Sequence, residues 1–499
     1  MPTASEAKMR IVKDSLGSLK IEDDCYFGAQ TERARRNFHV SLPRDRMPIP
    51  LIYTLALIKE AAAIRNCQFG KISSRKCAAI IQACREIREH NFDDQFPLSV
   101  WQTGSGTQTN MNVNEVIAGR ATEIIFGSKD NTEDDVHPND DVNCGQSSND
   151  IFPTAMNVCV AVETATNVIP GLEFLRDELQ KKSQSFMNAI KIGRTHLQDA
   201  VPMTVGQELS AFVDQINCSI ASIKHSLKSV CKLAVGGTAV GTGLNCSRGF
   251  DFALCEQINE LLKERFLKEK FTVELCFLPA ENKFAALASH DALLQLSGSF
   301  NCVATVLLKL ASDFALLSSG PDCGLGEYLL PSNEPGSSIM PGKINPTQCE
   351  SMNMVSLQLM GNHFTVTMAA SQGQLQLNVY KPLIVHNMLH SCQLISDSVR
   401  NFTEHCVRGL QINHNQLERN VQHSLMLVTA LNPRIGYDKS AEIAKYAREK
   451  RITLREAVLQ TNVITAEEFD HLVRPEQMAF PMKRPPKDEN GLSDSQHKP

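Results

Sequence analysis

Apolar positions at three- and four-residue intervals dominate the middle of this chain and predict long helices. The pattern covers residues 160–190, 205–232, 283–318 and 350–400, with few prolines inside these ranges. The run from 283 to 318 has no proline and a single glycine, Gly298. It is much longer than the usual globular helix of about 11–12 residues. Long helices with an apolar stripe bury that stripe against one another, so we predict a central helical bundle.

Polar segments rich in Gly, Ser, Asn and Asp separate these helices and are predicted to be loops. They are residues 102–112, 134–153, 192–200, 236–249 and 319–347. Strand signals are weak, so the predicted fold class is mainly α. The predicted domains are an N-terminal mixed, mostly helical domain at 1–144, a central bundle at 145–410, a small helical C-terminal domain at 411–478 and a disordered tail at 479–499.

Composition narrows the class of protein. The 499 residues are 42% apolar and 21% charged, with a formal net charge of −5, so neither nucleic acid nor an anionic membrane is expected as a partner. No uninterrupted apolar run reaches the roughly 18–20 residues of a membrane span. Residues 1–10 lack the pattern of a secretory signal or a mitochondrial presequence. Sixteen cysteines without a Cys-x-x-Cys pair indicate reduced thiols. We expect a cytoplasmic enzyme, with a mitochondrial isoform or import left open.

The polar segment 336–345, Gly-Ser-Ser-Ile-Met-Pro-Gly-Lys-Ile-Asn, has the most unusual composition in the chain. Two glycines and a proline shape a loop that carries two hydroxyls, one lysine and one amide. Loops of this kind carry function more often than packing. Exposed backbone N–H groups beside an ammonium suit an anion, so this segment predicts an anion-binding loop. The alternative is a plain surface turn with a solvated lysine.

Three other polar segments carry candidate chemistry. Gly104–Asn112 places hydroxyls and amides around two glycines, and is equally typical of a capped helix start. His137–Asp150 contains His, Asn and Asp side chains, but it has no second His or Cys at ligand spacing, so no metal site is predicted. His196 follows Thr195 in a polar loop. A lone histidine is usually structural, but an imidazole oriented by a carboxylate also suits acid–base chemistry.

The run Gly-Ser-Ser-Ile-Met-Pro-Gly-Lys-x-Asn-Pro at 336–346 resembles the signature loop of the fumarase/aspartase superfamily. The resemblance runs from about residue 10 to 478 and is closest to class II fumarases. It implies a mainly helical, three-domain subunit with a central bundle of long helices. It also implies a homotetramer whose active sites are shared between three subunits. The implied reaction is the reversible hydration of fumarate to L-malate, an anti addition of water through an aci-carboxylate, without a metal or organic cofactor.

The resemblance also implies roles for individual residues. Ser337 is the base that removes the C3 proton, and Lys343 stabilises the aci-carboxylate. His196, paired with Glu350, holds the departing water together with Thr195. The small dicarboxylate substrate is bound by Ser105, Thr107, Ser147, Ser148, Asn149, Thr195, Lys343 and Asn345. A secondary dicarboxylate site is formed by His137, Asn139 and Asp140.

Two features favour water over ammonia as the group that is added. Aspartases typically carry Gln where this chain has His196, and they have a different pair where it has Gln108 and Thr109. These features speak against aspartate ammonia-lyase and argininosuccinate lyase, which are the alternatives within the superfamily. Activity on L-aspartate would support the first of them.

Several residues depart from the class II fumarase pattern. Two cations and two anions are lost from otherwise well-kept motifs. Losing both partners of an ion pair can be nearly neutral, whereas losing one partner leaves an unpaired charge that destabilises the protein. A second alternative is therefore a catalytically weakened paralogue that binds dicarboxylates. The departures are Cys144 and Gly145 for Lys and Ser, Glu281 and Ala285 for Pro and Glu, Asp322 for Arg, and Gln376 for Glu.

Overall fold

The computed structural model describes residues 8–129, 134–269 and 273–480, and these residues are mainly helical, as predicted. The helices are α1 (Ala29–Asn37), α2 (Ile49–Gln68), α3 (Ser74–Arg88), α4 (Thr107–Phe126), α5 (Ser148–Glu163), α6 (Ile169–Ser185), α7 (Val205–Val230), α8 (Phe250–Glu269), α9 (Lys283–Ala288), α10 (Asp291–Leu317), α11 (Thr347–Ala370), α12 (Lys381–Phe402), α13 (His414–His423), α14 (Asn432–Ile435), α15 (Tyr437–Lys450), α16 (Leu454–Thr461), α17 (Ala466–Leu472) and α18 (Pro475–Ala479). The predicted tail at 479–499 lies, from residue 481 onward, outside the described residues.

The strands form four two-stranded pairs within the described ranges, in agreement with the weak strand signal. β1 pairs with β2, β3 with β4 and β7 with β8 in antiparallel fashion, whereas β5 and β6 are parallel. Their bounds are β1 (Met9–Asp14), β2 (Gly17–Glu22), β3 (Ile190–Thr195), β4 (Gln198–Thr204), β5 (Lys232–Leu233), β6 (Leu278–Pro279), β7 (Tyr328–Leu329) and β8 (Gln411–Ile412).

Contacts divide the chain into two compact units. The first unit comprises Met1–Leu175, Ile216–Lys309 and Glu350–Phe402. The second unit comprises Arg176–Gln215, Leu310–Cys349 and Thr403–Pro499. These units are assembled from separated stretches of chain, so they do not follow sequence order. The predicted domain boundaries at 144, 410 and 478 stay a prediction.

Each unit has its own apolar core. In the first unit, α2 packs against α3, α5 and α8, and its Leu51, Ile52 and Leu55 are fully buried. In the second unit, a separate core lies among the short C-terminal helices, where α15 packs on α16. This core contains Leu427, Val428, Leu431, Ile443, Ala447, Leu454, Ala457, Val458, Ile464 and Phe469. The late helices therefore bury their own apolar faces.

The long helices form where periodicity predicts them, but two of the predicted helices are each interrupted once. The predicted helix at 283–318 is interrupted where Ser289 adopts an extended backbone, which divides it into α9 and α10. The predicted helix at 350–400 is interrupted between α11 and α12. A Cβ on Gly373 in that interruption would lie 2.4 Å from the Ala288 carbonyl oxygen, so the chain passes close to another backbone. Local periodicity contains no information about such close approaches.

Four of the five predicted loops contain regular structure: α4 begins inside 102–112, β7 lies inside 319–347, and the other two are 134–153 and 192–200. The loop predicted at 134–153 already contains the start of α5, which passes through Pro153 and continues by a π-helical turn (Thr164–Val168) into α6. Ser147 and Asp150 form a capping box that begins this helix and satisfies backbone N–H groups at its N-terminus. The loop predicted at 192–200 is the β3–β4 hairpin, because the tight turn there pairs two short strands.

Within the described ranges, two stretches of helix are long and apolar enough to span a membrane by length and composition. They are Ser148–Ser185, in which 72% of the most apolar window is buried, and Asp291–Leu317, in which 44% is buried. Their mean hydropathy is high when it is averaged over a window of residues, although polar residues interrupt each apolar run. Core helices of globular proteins pass the same test.

Candidate active site

Two hydroxyls predicted to bind substrate lie at the start of α4. Ser105 Oγ is 2.8 Å from Thr107 Oγ1, and either atom can donate this hydrogen bond. A helix does begin here, as the alternative interpretation expects, but its N-cap is Gly106, which has no side chain to cap it. A Cβ on Gly106 would lie 2.3 Å from the Phe152 ring, so only glycine fits. The N-terminus of a long helix favours an anion beside these hydroxyls.

The N-terminus of α5 is joined to that of α4. Asn110 Nδ2 donates to Ser148 Oγ at 3.0 Å and to Asn143 Oδ1 at 3.3 Å. Ser147 caps α5, because its Oγ accepts the Asn149 N–H at 3.2 Å. The first unit thus brings together two helix N-termini and the predicted binding residues Ser105, Thr107, Ser147, Ser148 and Asn149.

Two buried charges beneath this region were not predicted from the sequence. Lys59 Nζ donates to Asn143 Oδ1 at 2.8 Å and to Gln146 Oε1 at 3.0 Å. Burial lowers the pKa of Lys59 to about 7, and the nearby Asp150 carboxylate opposes this shift. Burial raises the pKa of Asp150 to about 6, against the effect of backbone N–H donors and of Lys59. The available sequence signal was a lysine followed by a glutamate inside the otherwise apolar run 55–63.

The predicted secondary dicarboxylate site lies on a π-helical turn, 138–142, and on its N-cap residue His137. His137 Nδ1 accepts the Asp140 N–H at 3.1 Å and lies 3.1 Å from its carboxylate. Asn139 is exposed. Asp141 anchors the turn through Lys76 at 2.9 Å. The turn brings His137, Asn139 and Asp140 together, and their binding role stays a prediction.

Thr195 and His196 occupy the tip of the β3–β4 hairpin in the second unit. His196 and Leu197 have φ of +55° and +60°, the left-handed backbone that a tight hairpin turn requires. Both predicted residues are exposed, and neither side chain has a hydrogen bond or ion pair within the described part of the chain. An exposed histidine with a left-handed backbone conformation is typical of functional turns.

A buried ionic network anchors that hairpin. Glu327 is fully buried, with its carboxylate 2.7 Å from Arg194 and 3.0 Å from Lys191. Lys191 Nζ also lies 2.8 Å from Glu208 Oε1, and the Tyr328 hydroxyl donates to Glu208 Oε2 at 2.6 Å. Burial raises the pKa of Glu327, but hydrogen bonding and charge from Arg194 and Lys191 outweigh it and leave a lowered pKa. Arg194 directly precedes Thr195, so this network fixes the backbone that carries the predicted water-handling residues.

The signature loop of the second unit is closed on itself. A Cβ on Gly336 would lie 2.1 Å from the Lys343 carbonyl oxygen, so its two arms touch and require glycine. Asn345 Nδ2 donates to the Gly336 carbonyl at 2.5 Å, and Lys343 Nζ donates to Asn345 Oδ1 at 2.7 Å. Ser337 Oγ accepts the N–H groups of the two residues at 339 and 340, at 3.2 and 3.0 Å. The loop thereby gathers Ser337, Lys343 and Asn345, the composition expected of an anion cradle.

Glu350 lies exposed in the first turn of α11. Its side chain has no hydrogen bond or ion pair within the ranges that the structure describes. The predicted pairing of Glu350 with His196 therefore stays a prediction.

The departures from the family pattern lie mostly at the surface. Asp322, Ala285 and Gln376 are exposed, and Glu281 lies 3.5 Å from Lys232. Cys144 is half-buried. Burial raises the pKa of its thiol, Lys71 lowers it, and the carboxylates of Asp141 and Asp140 raise it further. A residue that is lysine in the family pattern is thus a neutral thiol next to the predicted secondary site.

One group in the described ranges brings three potential metal ligands within 4.8 Å of one another: Glu22, Asp24 and Cys25. Both carboxylates are exposed. Burial, followed by the two carboxylates, raises the pKa of the Cys25 thiol to about 11, which disfavours the thiolate that binds metals. None of these residues belongs to the candidate site.

Comparison with known proteins identifies the family. The model of a lyase family matches residues 17–361, and the model of the fumarase C C-terminus matches residues 427–479. A fumarate hydratase of Schistosoma mansoni is 58% identical, over 95% of this chain and 98% of its own length. The mitochondrial fumarate hydratase of Homo sapiens is 49% identical, over 96% of this chain and 91% of its own length.

Solved structures agree with this assignment. The crystal structure of a class II fumarase from Schistosoma mansoni superimposes with a TM-score of 0.93 at 57% identity, covering 95% of this chain and all of the other. A fumarate lyase:delta crystallin from Brucella melitensis, bound to cobalt, superimposes with a TM-score of 0.88 at 39% identity, with the same coverage. The chain therefore belongs to the class II fumarate hydratase family.

Proposed function

We propose that this protein catalyses the reversible hydration of fumarate to L-malate. The observation that carries the proposal is the closed signature loop, in which Lys343 donates to Asn345, Asn345 donates to the carbonyl at 336, and Ser337 Oγ accepts two backbone N–H groups. An aci-carboxylate bears two negative charges, and pre-aimed donors and cations are the usual way to stabilise such charge. The high identity to proteins named fumarate hydratase supports the same substrate.

The proposed mechanism divides the reaction between two groups of residues. Ser337 removes the C3 proton of malate while Lys343 and Asn345 stabilise the developing aci-carboxylate. On the opposite face His196, paired with Glu350, gives a proton to the C2 hydroxyl, which leaves as water held by Thr195. The N-termini of α4 and α5 supply further donors for the substrate carboxylates.

The proposed assembly is a homotetramer in which three subunits contribute to each site. An apolar stripe on α11 supports this assembly, because Met354, Leu357, Phe364 and Met368 share one face and are exposed in the single chain. Met354 and Phe364 are each 66% exposed. A stripe of this size on a long helix indicates a partner helix. Another subunit also offers a partner for His196 and Glu350.

Subunit complementation tests this proposal. His196→Asn and Ser337→Ala are each expected to be nearly inactive. If His196 and Ser337 of one site come from different subunits, unfolding the two variants together and refolding them restores part of the activity. Each variant refolded alone is the control. Active mixtures support the shared site, whereas mixtures as inactive as the separate variants contradict it.

The proposed compartment is a reducing one, the cytoplasm. All sixteen cysteines are free thiols, as is usual where glutathione keeps thiols reduced. The human relative is named mitochondrial, so targeting is tested by imaging the full chain fused at its C-terminus to a fluorescent protein. Diffuse cytosolic signal supports the proposal, and mitochondrial signal contradicts it.

A further inference from the structure

A single buried carboxylate joins the proposed substrate-binding segment to a glycine-rich loop. Asp150 is fully buried. Its Oδ1 accepts the N–H of Ser147 at 2.9 Å, and its Oδ2 accepts the N–H groups of Gly236 at 2.9 Å and Thr238 at 3.0 Å. A second contact joins the same two segments: Asn149 Nδ2 donates to the backbone carbonyl oxygen of residue 239 at 2.8 Å. The segment 147–149 is thereby held against residues 236–239 of the same chain.

Lys59 supplies the balancing charge. Its ammonium is buried and within electrostatic reach of Asp150, and it also holds the side chains of Asn143 and Gln146. Both ends of the 143–149 segment therefore rest on one buried pair of opposite charges. Buried charges persist only when they are paired and hydrogen-bonded.

We propose that Asp150, with Lys59 as its counter-charge, is a positioning residue that holds Ser147–Asn149 in the geometry that binds the substrate dicarboxylate. This inference rests on the proposed function, because the dicarboxylate is its ligand. Asp150 acts through the backbone N–H groups that it accepts and does not touch substrate. An amide in its place can accept through one oxygen only, so it cannot hold the 147 and the 236–238 backbone at once.

The test compares Asp150→Asn with a matched buried carboxylate elsewhere. Glu115 also accepts three backbone N–H groups, those of Gly28, Gln30 and Thr31 at 2.9–3.0 Å, but it caps α1 rather than the candidate site. Asp150→Asn is expected to raise KM for L-malate about tenfold, with a much smaller change in kcat, because binding is lost equally in ground and transition states. Glu115→Gln is expected to lower Tm and leave KM at the wild-type value.

A second variant separates positioning from charge balance. Lys59→Met combined with Asp150→Asn removes the unpaired buried ammonium, so Tm should recover toward the wild-type value while KM stays raised. Recovery of both Tm and KM would show that Asp150 only balances charge, and equal KM in Asp150→Asn and Glu115→Gln would also overturn the inference. Calorimetric Kd values for L-malate are measured on the same proteins. An inactive wild type would contradict the proposed function, while these Kd values would still test the positioning role.

Discussion

Cys144 stands where the family pattern has a lysine, and it lies beside a predicted binding site. Its thiol lies among Asp140, Asp141 and Lys71, beside the predicted secondary dicarboxylate site. A dianion that approaches this turn meets the carboxylates of Asp140 and Asp141. It also lacks the attraction of the lysine that the family pattern has at position 144. The same comparison motivates the interpretation of a weakened paralogue.

Restoring the cation tests that effect. An added ammonium at such a solvent-screened position contributes about 1 kcal/mol, so Cys144→Lys should raise kcat/KM for L-malate about fivefold. Initial rates at low substrate measure this ratio, and Cys144→Ser, which adds no charge, is the control. If kcat/KM is the same in Cys144→Lys and the wild type, the missing lysine does not limit the reaction.

Individual residues were predictable to different degrees. The signature loop could be predicted because glycines, hydroxyls and a lysine in ten residues have no packing purpose. The placement of Ser105 beside Thr107 and of Asn110 against Ser148 needed the structure. Lys59 was missed because its function comes from residues about 85 positions further along the chain, and local sequence carries no sign of that contact.

At the scale of elements, the β3–β4 hairpin depends on the charges behind it. Glu327 is fully buried and pairs with Arg194 and Lys191, both of which lie in β3. This ionic network, rather than apolar packing, holds the hairpin tip in place. The sequence suggested a loop here, because neither strand is long enough to show clear alternation.

Glu327→Gln is expected to destabilise the protein and to lower kcat. Neutralising Glu327 removes the one fully buried carboxylate that pairs with both Arg194 and Lys191, and breaking a buried pair costs roughly 3–5 kcal/mol. Urea unfolding and malate turnover measure the two effects. Asp199→Asn is the matched control, because Asp199 is an exposed partner of Arg194 at 3.8 Å, and exposed pairs contribute about 1 kcal/mol or less. Equal losses of stability in the two variants would contradict the network's role.

Lys381 at the start of α12 makes stability depend on pH. It is fully buried and donates to the Asn378 carbonyl, and burial lowers its pKa to about 7. Between pH 7 and the usual lysine pKa of about 10.4, the unfolded chain binds a proton that the folded chain does not, so this group makes stability rise with pH.

Lys381→Met removes this proton uptake. The difference in unfolding free energy between wild type and variant should change by about 1.4 kcal/mol per pH unit above pH 7. Urea unfolding at a series of pH values from 7.5 to 9.5 and at one protein concentration measures it. Parallel curves for the two proteins would mean that Lys381 does not titrate in this range.

At the scale of the whole molecule, the single chain leaves exposed an apolar stripe on α11 and four of the proposed catalytic residues, Thr195, His196, Lys343 and Glu350. Sequence periodicity predicted the long helices but could not show which face lacks a partner, because buried and exposed apolar residues look alike in a pattern. The two compact units were not predictable either, since each is assembled from separated stretches of chain.

Phe364→Glu tests the proposed assembly. A charge in an interhelical contact is costly to bury, so the tetramer should dissociate and activity should be lost with it. Light scattering coupled to size exclusion measures the mass, and malate turnover is followed on the same fractions. Leu16→Glu, at an exposed apolar residue on the β1–β2 turn, is the control and should stay tetrameric and active. An active Phe364→Glu monomer would contradict sites shared between subunits.

The most direct measurement is the ultraviolet absorbance of fumarate after the purified protein is mixed separately with L-malate and L-aspartate. The proposed function predicts a rise on malate alone, and His196→Asn should reduce its rate by about 10²–10⁴-fold, the usual contribution of an acid–base group. A flat trace on malate from a correctly assembled tetramer would contradict the account, and a rise on aspartate would assign the protein to ammonia-lyase chemistry instead.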